Sequence, residues 1–271
     1  MERIRRLQAL NEMLLAEMPE YKNQAQVFPC TETAQRQLLR SLMNVRPPMP
    51  LNPVFVVAQD ELLSDEREEK GVVDGNTLPV TAAHPRIAVW QGDITRLKVD
   101  AIVDADNNAL LGCFCPCHNC IDNAIHSAAG LQLRDECNRI MQAQGHPEPN
   151  GRAKITSGYN LPARYVLHTV GPIVQGRVTQ QDRAELAGCY RSCLELAAER
   201  GLSSVAFCCI STGEFRFPHQ EAAEIATDTV TRFLQYDPSI RKVIFNVFKD
   251  IDAQIYRNLL GEDRAVETGP Q

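Results

Sequence analysis

Residues 99–107 read Val99-Asp100-Ala101-Ile102-Val103-Asp104-Ala105-Asp106-Asn107, an apolar run that closes on acids and an amide. The apolar part is too short for a stable helix and is rich in β-branched side chains, so it predicts a strand. A strand with apolar residues on both faces is covered on both faces, which is the situation of a parallel sheet flanked by helices. Asn107 then stands just past a carboxyl end, where open α/β sheets bind ligands.

Outward from this strand the same grammar repeats. Residues 87–90, 165–170, 204–210 and 242–248 are further apolar, β-rich runs. Between them, helical patterns cover 121–129, 131–144, 182–200 (ending at Gly201) and 219–236 (ending before Pro238). In the third of these, Leu186, Cys189, Tyr190, Cys193, Leu194 and Ala197 mark one apolar face. The expected fold class is α/β: three layers, with helices on both sides of a mostly parallel mixed sheet.

Residues 1–80 are different. Leu7, Leu10, Leu14 and Leu15 repeat at helical spacing, and a second helical stretch at 33–44 stops before Pro47-Pro48. Val54-Phe55-Val56-Val57 reads as a short buried strand or loop among proline-rich and charged segments. The organisation expected is a mainly helical N-terminal extension over 1–80, a core domain over 81–262 and a polar tail over 263–271.

The net charge of −6 over 271 residues disfavours nucleic acid or an anionic membrane as the principal partner. No run is apolar for long enough to span a bilayer, and the charged N-terminus lacks the apolar stretch of a signal peptide. Four of the ten cysteines crowd into residues 113–120, too close to staple a fold. Cys189, Cys193, Cys208 and Cys209 sit in apolar patterns as buried reduced thiols. A reducing, cytoplasmic setting follows.

That crowded segment, Gly112-Cys113-Phe114-Cys115-Pro116-Cys117-His118-Asn119-Cys120-Ile121-Asp122-Asn123-Ala124-Ile125-His126-Ser127, carries the chemistry. Thiolates and an imidazole at short spacing suit zinc. A carboxylate and an amide beside them suit a hydrolytic site.

Several motifs together resemble the macrodomain family over residues 85–260. They are Gly92-Asp93-Ile94-Thr95, the 99–107 run, Ile121-Asp122-Asn123-Ala124-Ile125-His126 with Ala128-Ala129-Gly130, Gly158-Tyr159-Asn160-Leu161-Pro162-Ala163 with His168-Thr169-Val170-Gly171-Pro172, and Ser211-Thr212-Gly213-Glu214-Phe215-Arg216-Phe217-Pro218. The cysteine-bearing insertion and the N-terminal extension narrow the resemblance to the zinc-dependent branch, whose members remove ADP-ribose from modified proteins.

What the resemblance implies about residues can be stated one by one. Cys113, His118 and Cys120 match the set that holds Zn2+ in that branch. Three ligands leave a fourth position open, the arrangement of a catalytic ion; a closed structural site recruiting Cys115 or Cys117 is the alternative. Asp93, followed by Ile94, matches the acceptor of the adenine amino group, although an isolated Asp there would read as a helix N-cap. Asn107 and Asp122 match the distal-ribose pair, with Asp122 kept ionised beside a cation and placed to orient or deprotonate water. Their plain readings are a turn residue and a helix N-cap. Ile121 opens the helix that carries Asp122, while Asn123 stands where zinc-free relatives often have glycine.

Ser211, Thr212, Gly213, Glu214 and Phe215 form a loop whose backbone N–H groups can cradle a diphosphate. Phe215 is expected to cover the distal ribose or simply to be buried, and Phe248 to stack on adenine or join the core. Arg216, where glycine is commoner, contacts phosphate or points to solvent. Asp104 and Asp106 replace residues usually Asn and Ala, adding negative charge near the diphosphate. His126 and His168 read as structurally satisfied histidines, and residues 158–162 as a structural turn.

The function expected is a zinc-dependent hydrolase acting on mono-ADP-ribosylated protein; a non-catalytic ADP-ribose reader with a structural zinc is the alternative. The resemblance also suggests a microbial setting shared with a sirtuin-like ADP-ribosyltransferase.

Overall fold

The computed structural model describes residues 2–261; the tail expected at 263–271 lies outside the described residues. The chain opens with helices α1 (Glu2–Glu17), α2 (Lys22–Ala25), α3 (Glu32–Val45) and α4 (Pro53–Lys70). Leu7, Leu10, Leu14, Leu38, Leu39, Leu42, Phe55 and Leu62 bury against one another as a separate small core.

Helix α4 corrects the expectation for Val54-Phe55-Val56-Val57. Asn52 caps its N-terminus by accepting from the Val54 N–H at 2.9 Å, and Pro53 brings a helix-ready φ to the first turn. A 3.6-residue period splits the apolar run between faces, so Phe55 is buried while Val54 and Val57 are exposed.

Strand β1 (Val73–Asp74) pairs in parallel with β3 (Leu97–Lys98) at the margin of the fold. The principal sheet contains β2 (Ile87–Gln91), β4 (Ala101–Ala105), β5 (Ala153–Ser157), β6 (Tyr165–Thr169), β7 (Ser204–Phe207) and β8 (Lys242–Val247), in the order β2-β8-β7-β4-β6-β5. Every pairing is parallel except that of the edge strand β5 with β6. Helices α5 (Ile121–Ala129) and α6 (Leu131–Gln144) pack against this sheet, as do α7 (Gln180–Glu199) and α9 (Asp250–Leu260), while α8 (His219–Tyr236) packs on α7 and α9 and adds its apolar face to the same core. The result is the three-layer α/β arrangement with a mostly parallel mixed sheet that the sequence predicts. Its core joins all five parallel strands, with Ile102, Val103, Val205, Phe207, Ile244 and Phe245 fully covered.

Within the principal sheet and the helices around it, two elements escape the sequence pattern. β5 is an edge strand, only half-buried, whose Lys154 and Thr156 break an apolar run. Helix α9 is short, and its buried apolar residues are only Ala253, Tyr256 and Leu260. Residues 158–162 do form a turn: the Gly158 N–H donates to the Arg164 carbonyl at 2.8 Å, and a Cβ there would collide with the Ala163 carbonyl. Among the described residues, no helix is long and apolar enough to cross a membrane.

Because β2, β4, β7 and β8 run parallel, residues 92–93, 106–107, 208–211 and 248 all emerge at the same sheet edge. The helical extension packs on α5, and Leu131 of α6 completes its small core. This brings α3 against the loop that precedes α5.

Candidate active site and metal centre

Three of the clustered donors converge. Single donor atoms from Cys113, His118 and Cys120 all lie within 4.8 Å of one another, with Cys113 Sγ 3.6 Å from His118 Nδ1. On its far side, His118 Nε2 faces Glu214 Oε1 at 3.8 Å, so the thiol loop and the 211–217 loop meet across the cleft. Two soft sulfurs and an imidazole form a donor set zinc accepts, and the three alone do not close a tetrahedron.

Cys115 and Cys117 take no part. Cys115 is exposed, and the sulfur of Cys117 turns to α3, lying 3.3 Å from Ser41 Oγ. In this arrangement neither sulfur joins the three donors, as the closed-site alternative would require. Helix α3 also holds the loop's backbone: the Cys117 N–H donates to Asn44 Oδ1 at 2.9 Å, and Arg40 Nη2 donates to the His118 carbonyl at 3.3 Å. Arg40 further donates to Asn123 Oδ1 at 2.7 Å, and Asn123 Nδ2 donates to the Cys115 carbonyl at 3.0 Å. Asn123 is thus a buried brace between helix and loop. Sequence spacing gives no hint of Arg40 or Asn44, which lie far away in the extension.

Cys120, not Asp122, is the N-cap of α5: its sulfur accepts from the Asn123 N–H at 3.4 Å. Burial, then the neighbouring charges of Asp122 and Cys113, push its thiol up to about 12. Anionic sulfurs this close together repel one another, and a cation between them would reverse that.

Asp122 sits in the first turn of α5, buried, with Oδ1 3.6 Å from His126 Nε2. Burial, then the charges of Asp106 and Asp104, push its carboxyl well above the ordinary range. The protein's own groups thus resist ionisation of Asp122, and a cation held by the neighbouring donors would act in the opposite direction. Asn107 realises its turn reading: its Oδ1 accepts from the Ala109 N–H at 2.9 Å and its Nδ2 donates to the Gly112 carbonyl at 3.3 Å. One amide hydrogen and one lone pair remain for a sugar hydroxyl.

Asp93 likewise caps the short 3-10 turn Ile94–Arg96, accepting from the Thr95 N–H at 3.0 Å. It also lines a cavity of about 150 Å3 shared with Thr95, Ala124 and, from the extension, Arg36, Arg40 and Arg67. The Ile94 side chain belongs to the core, and Ile121 is half-buried against it. Phe248 is not a core residue; it is 77 % exposed, directly after β8 and beside the end of β2.

In the last loop, Ser211 and Arg216 adopt left-handed φ of 64° and 59°. That conformation costs glycine nothing, which accounts for its usual place at the second position. Arg216 is exposed and Phe215 half-buried. Ser211 is buried and its Oγ finds no hydrogen-bond partner among the described residues; a side chain on Gly171 would collide with it.

Two expectations need correction. Asp104 and Asp106 do not face the cleft; both are buried and turned inward against His126 and His168. His126 is not satisfied, and His168 only at Nε2, which lies 2.9 Å from Thr156 Oγ1. His126 Nδ1 and Nε2 and His168 Nδ1 all lack hydrogen-bond partners among the described residues. The only sequence signal was the four-residue step from Asp122 to His126, which places them on one helix face.

A family model described as Macro domain matches residues 103–226. The chain is 52% identical over 253 residues to a protein-ADP-ribose hydrolase of Treponema medium, covering 93% of this chain and 96% of that protein. It is 45% identical over 266 residues to a protein-ADP-ribose hydrolase of Staphylococcus aureus strain MSSA476, covering 97% of this chain and 99% of that protein. The crystal structure of a Trypanosoma brucei macrodomain in complex with ADP-ribose superposes with a TM-score of 0.63 at 32% identity, covering 82% of this chain and 95% of that one. This chain therefore belongs to the macrodomain family.

Proposed function

We propose that this chain is a zinc-dependent hydrolase that removes ADP-ribose from mono-ADP-ribosylated proteins by cleaving the bond between the distal ribose and the modified side chain. One observation carries the reading: the Cys113, His118 and Cys120 donors converge on the loop that leads directly into Asp122, at the sheet edge where Asn107 also emerges. The likeness to named protein-ADP-ribose hydrolases supports the same chemistry.

The residues divide the work. Asp93 accepts from the adenine amino group and exposed Phe248 stacks on the ring. Backbone N–H groups of residues 211–215 hold the diphosphate. Asn107 fixes the distal ribose through its remaining hydrogen and lone pair. Asp122 holds or moves the proton of the water or of the departing group. When bound, zinc supplies Lewis-acid polarisation at the ribose end of the ligand. Arg40 and Asn44 keep the loop in place, so the extension is a working part of the site. The cell context that fits is cytoplasmic, alongside a sirtuin-like ADP-ribosyltransferase that would install the modification.

The test is release of ADP-ribose from mono-ADP-ribosylated proteins of defined linkage, with and without chelator, by the native chain and by Cys120→Ala. Loss of turnover on chelation and in the variant, with ADP-ribose still bound, is the expected result. Undiminished turnover in metal-free protein would sink the mechanism, and binding without turnover on any linkage would make the chain a reader.

A further inference from the structure

Below the cleft, Asp104, Asp106, His126 and His168 each turn a donor atom toward a common point, all within 4.8 Å of one another. The fold brings them there from four places. Asp104 and His168 are register partners on β4 and β6, Asp106 lies just beyond β4 on the same face as Asp104, and His126 comes from α5.

Their separations are the informative quantity. His168 Nδ1 is 3.4 Å from Asp106 Oδ2 and 3.8 Å from Asp104 Oδ2. His126 Nε2 is 3.8 Å from Asp104 Oδ2 and 3.9 Å from Asp106 Oδ2. These are too long for N–H···O hydrogen bonds. They lie close to the edges of a tetrahedron built on metal bonds of 2.0–2.2 Å, which are about 3.3–3.6 Å.

The cluster is also unsatisfied as it stands. All four side chains are at most 4 % exposed. Both Asp104 oxygens, Asp106 Oδ2, both His126 nitrogens and His168 Nδ1 have no hydrogen-bond partner among the described residues. Buried polar atoms are ordinarily paired, and leaving this many bare is costly. Meanwhile His168 Nε2 lies 2.9 Å from Thr156 Oγ1, an outer contact that orients the ring and leaves Nδ1 facing inward. As a metal-ligand set, in which carboxylates bind ionised and imidazoles neutral, the four side chains would bring a charge of −2, which one divalent ion cancels.

We propose that Asp104, Asp106, His126 and His168 form a second, closed divalent-metal site, suited to zinc and separate from the thiol loop. Two imidazoles in a fourfold set favour zinc over magnesium or calcium, which require more oxygen ligands. Four protein ligands leave no position for water or substrate, so this ion ties β4, β6 and α5 together beneath Asn107 and Asp122 without entering the reaction. The proposal does not depend on the thiol loop binding metal.

The decisive protein is the full chain carrying Cys113→Ser and Cys120→Ser, its folding checked by near-ultraviolet circular dichroism. Reconstituted with zinc and dialysed, it should retain one equivalent by elemental analysis. Adding Asp104→Asn and Asp106→Asn should remove that equivalent. Cobalt in the Cys113→Ser/Cys120→Ser chain should give visible d–d bands without thiolate charge transfer, a readout that stands even if the fourfold variant fails to fold. A folded Cys113→Ser/Cys120→Ser chain that takes up neither zinc nor cobalt overturns the proposal. So does cobalt bound with a thiolate band, which would hand the site to Cys137, whose sulfur lies 3.6 Å from His168 Nε2.

Discussion

The thiol loop takes its three donors from one short stretch of chain, whereas the carboxylate–imidazole group below it draws four from β4, the residue after it, α5 and β6. The first is half-exposed and depends for its shape on hydrogen bonds from α3. The second is sealed inside the sheet–helix interface and depends on strand register. A loop of that kind lies within reach of a ligand in the cleft. A group of that kind can only stabilise or destabilise the scaffold. Position in the fold thus separates two roles that similar donor chemistry would leave alike.

Changes to the buried group should register first in stability. His168→Leu leaves Asp104 and Asp106 facing each other in a dry interior and should lower the unfolding free energy by about 3–5 kcal/mol, measured by chemical denaturation. A cost below about 1 kcal/mol would mean that the group is open to water, and the contrast would fail. For the loop the reverse holds. Cys113→Ala should cut ADP-ribose release more than about 100-fold while leaving the unfolding free energy of the metal-free protein nearly unchanged, since the affected side chain is only half-buried.

Arg40→Ala sharpens the comparison from the side of the extension. Without its contacts to the His118 carbonyl and Asn123, zinc affinity at the loop should fall about tenfold to a hundredfold in competition with a chromophoric chelator. Metal retained by a Cys113→Ser/Cys120→Ser chain should not respond to the same change. The smallest effect concerns the extension's own ion pairs. Burial opposes ionisation of Glu66, but Arg36 and Arg3 outweigh it and hold its pKa below the ordinary value. Its contribution is therefore present above the unfolded carboxylate's pKa and is lost as pH falls through the folded one. Between pH 5 and 3 the native chain should lose about 1 kcal/mol more stability than Glu66→Gln, read from urea unfolding at each pH.

The same contrast explains how much of the molecule could be read in advance. The strands at 87–91, 101–105 and 242–247 are apolar on both faces, so hydrophobic pattern alone located them. The thiol loop was legible because its donors are neighbours in sequence. The Asp104–His168 contact was not, because nothing in a linear pattern states that two strands will pair in that register. Arg40 and Asn44 were hidden for the same reason. Helix α4 was misread because Val54 and Val57 are apolar yet face outward, a placement set by helix period and by Asn52. Asp93 and Asn107 show a subtler limit: their capping and turn bonds are real, and each still has capacity to bind a ligand.

Arg134 of α6 has a practical consequence for anyone trimming this chain. Its buried guanidinium donates to the Leu111 carbonyl at 2.6 Å, the Met43 carbonyl at 2.9 Å and the Arg46 carbonyl at 2.7 Å, and lies 4.4 Å from the centre of the Phe114 ring. A cut that removes residues 2–70 deletes two of its three acceptors and uncovers Leu131, stranding a cation in a hole that water must then enter. The loop anchored by Leu111 and Phe114 would lose its footing in the same stroke. Excised α/β cores are thus a poor proxy for the whole: a truncated macrodomain of this type should be judged as a damaged protein rather than as a minimal one.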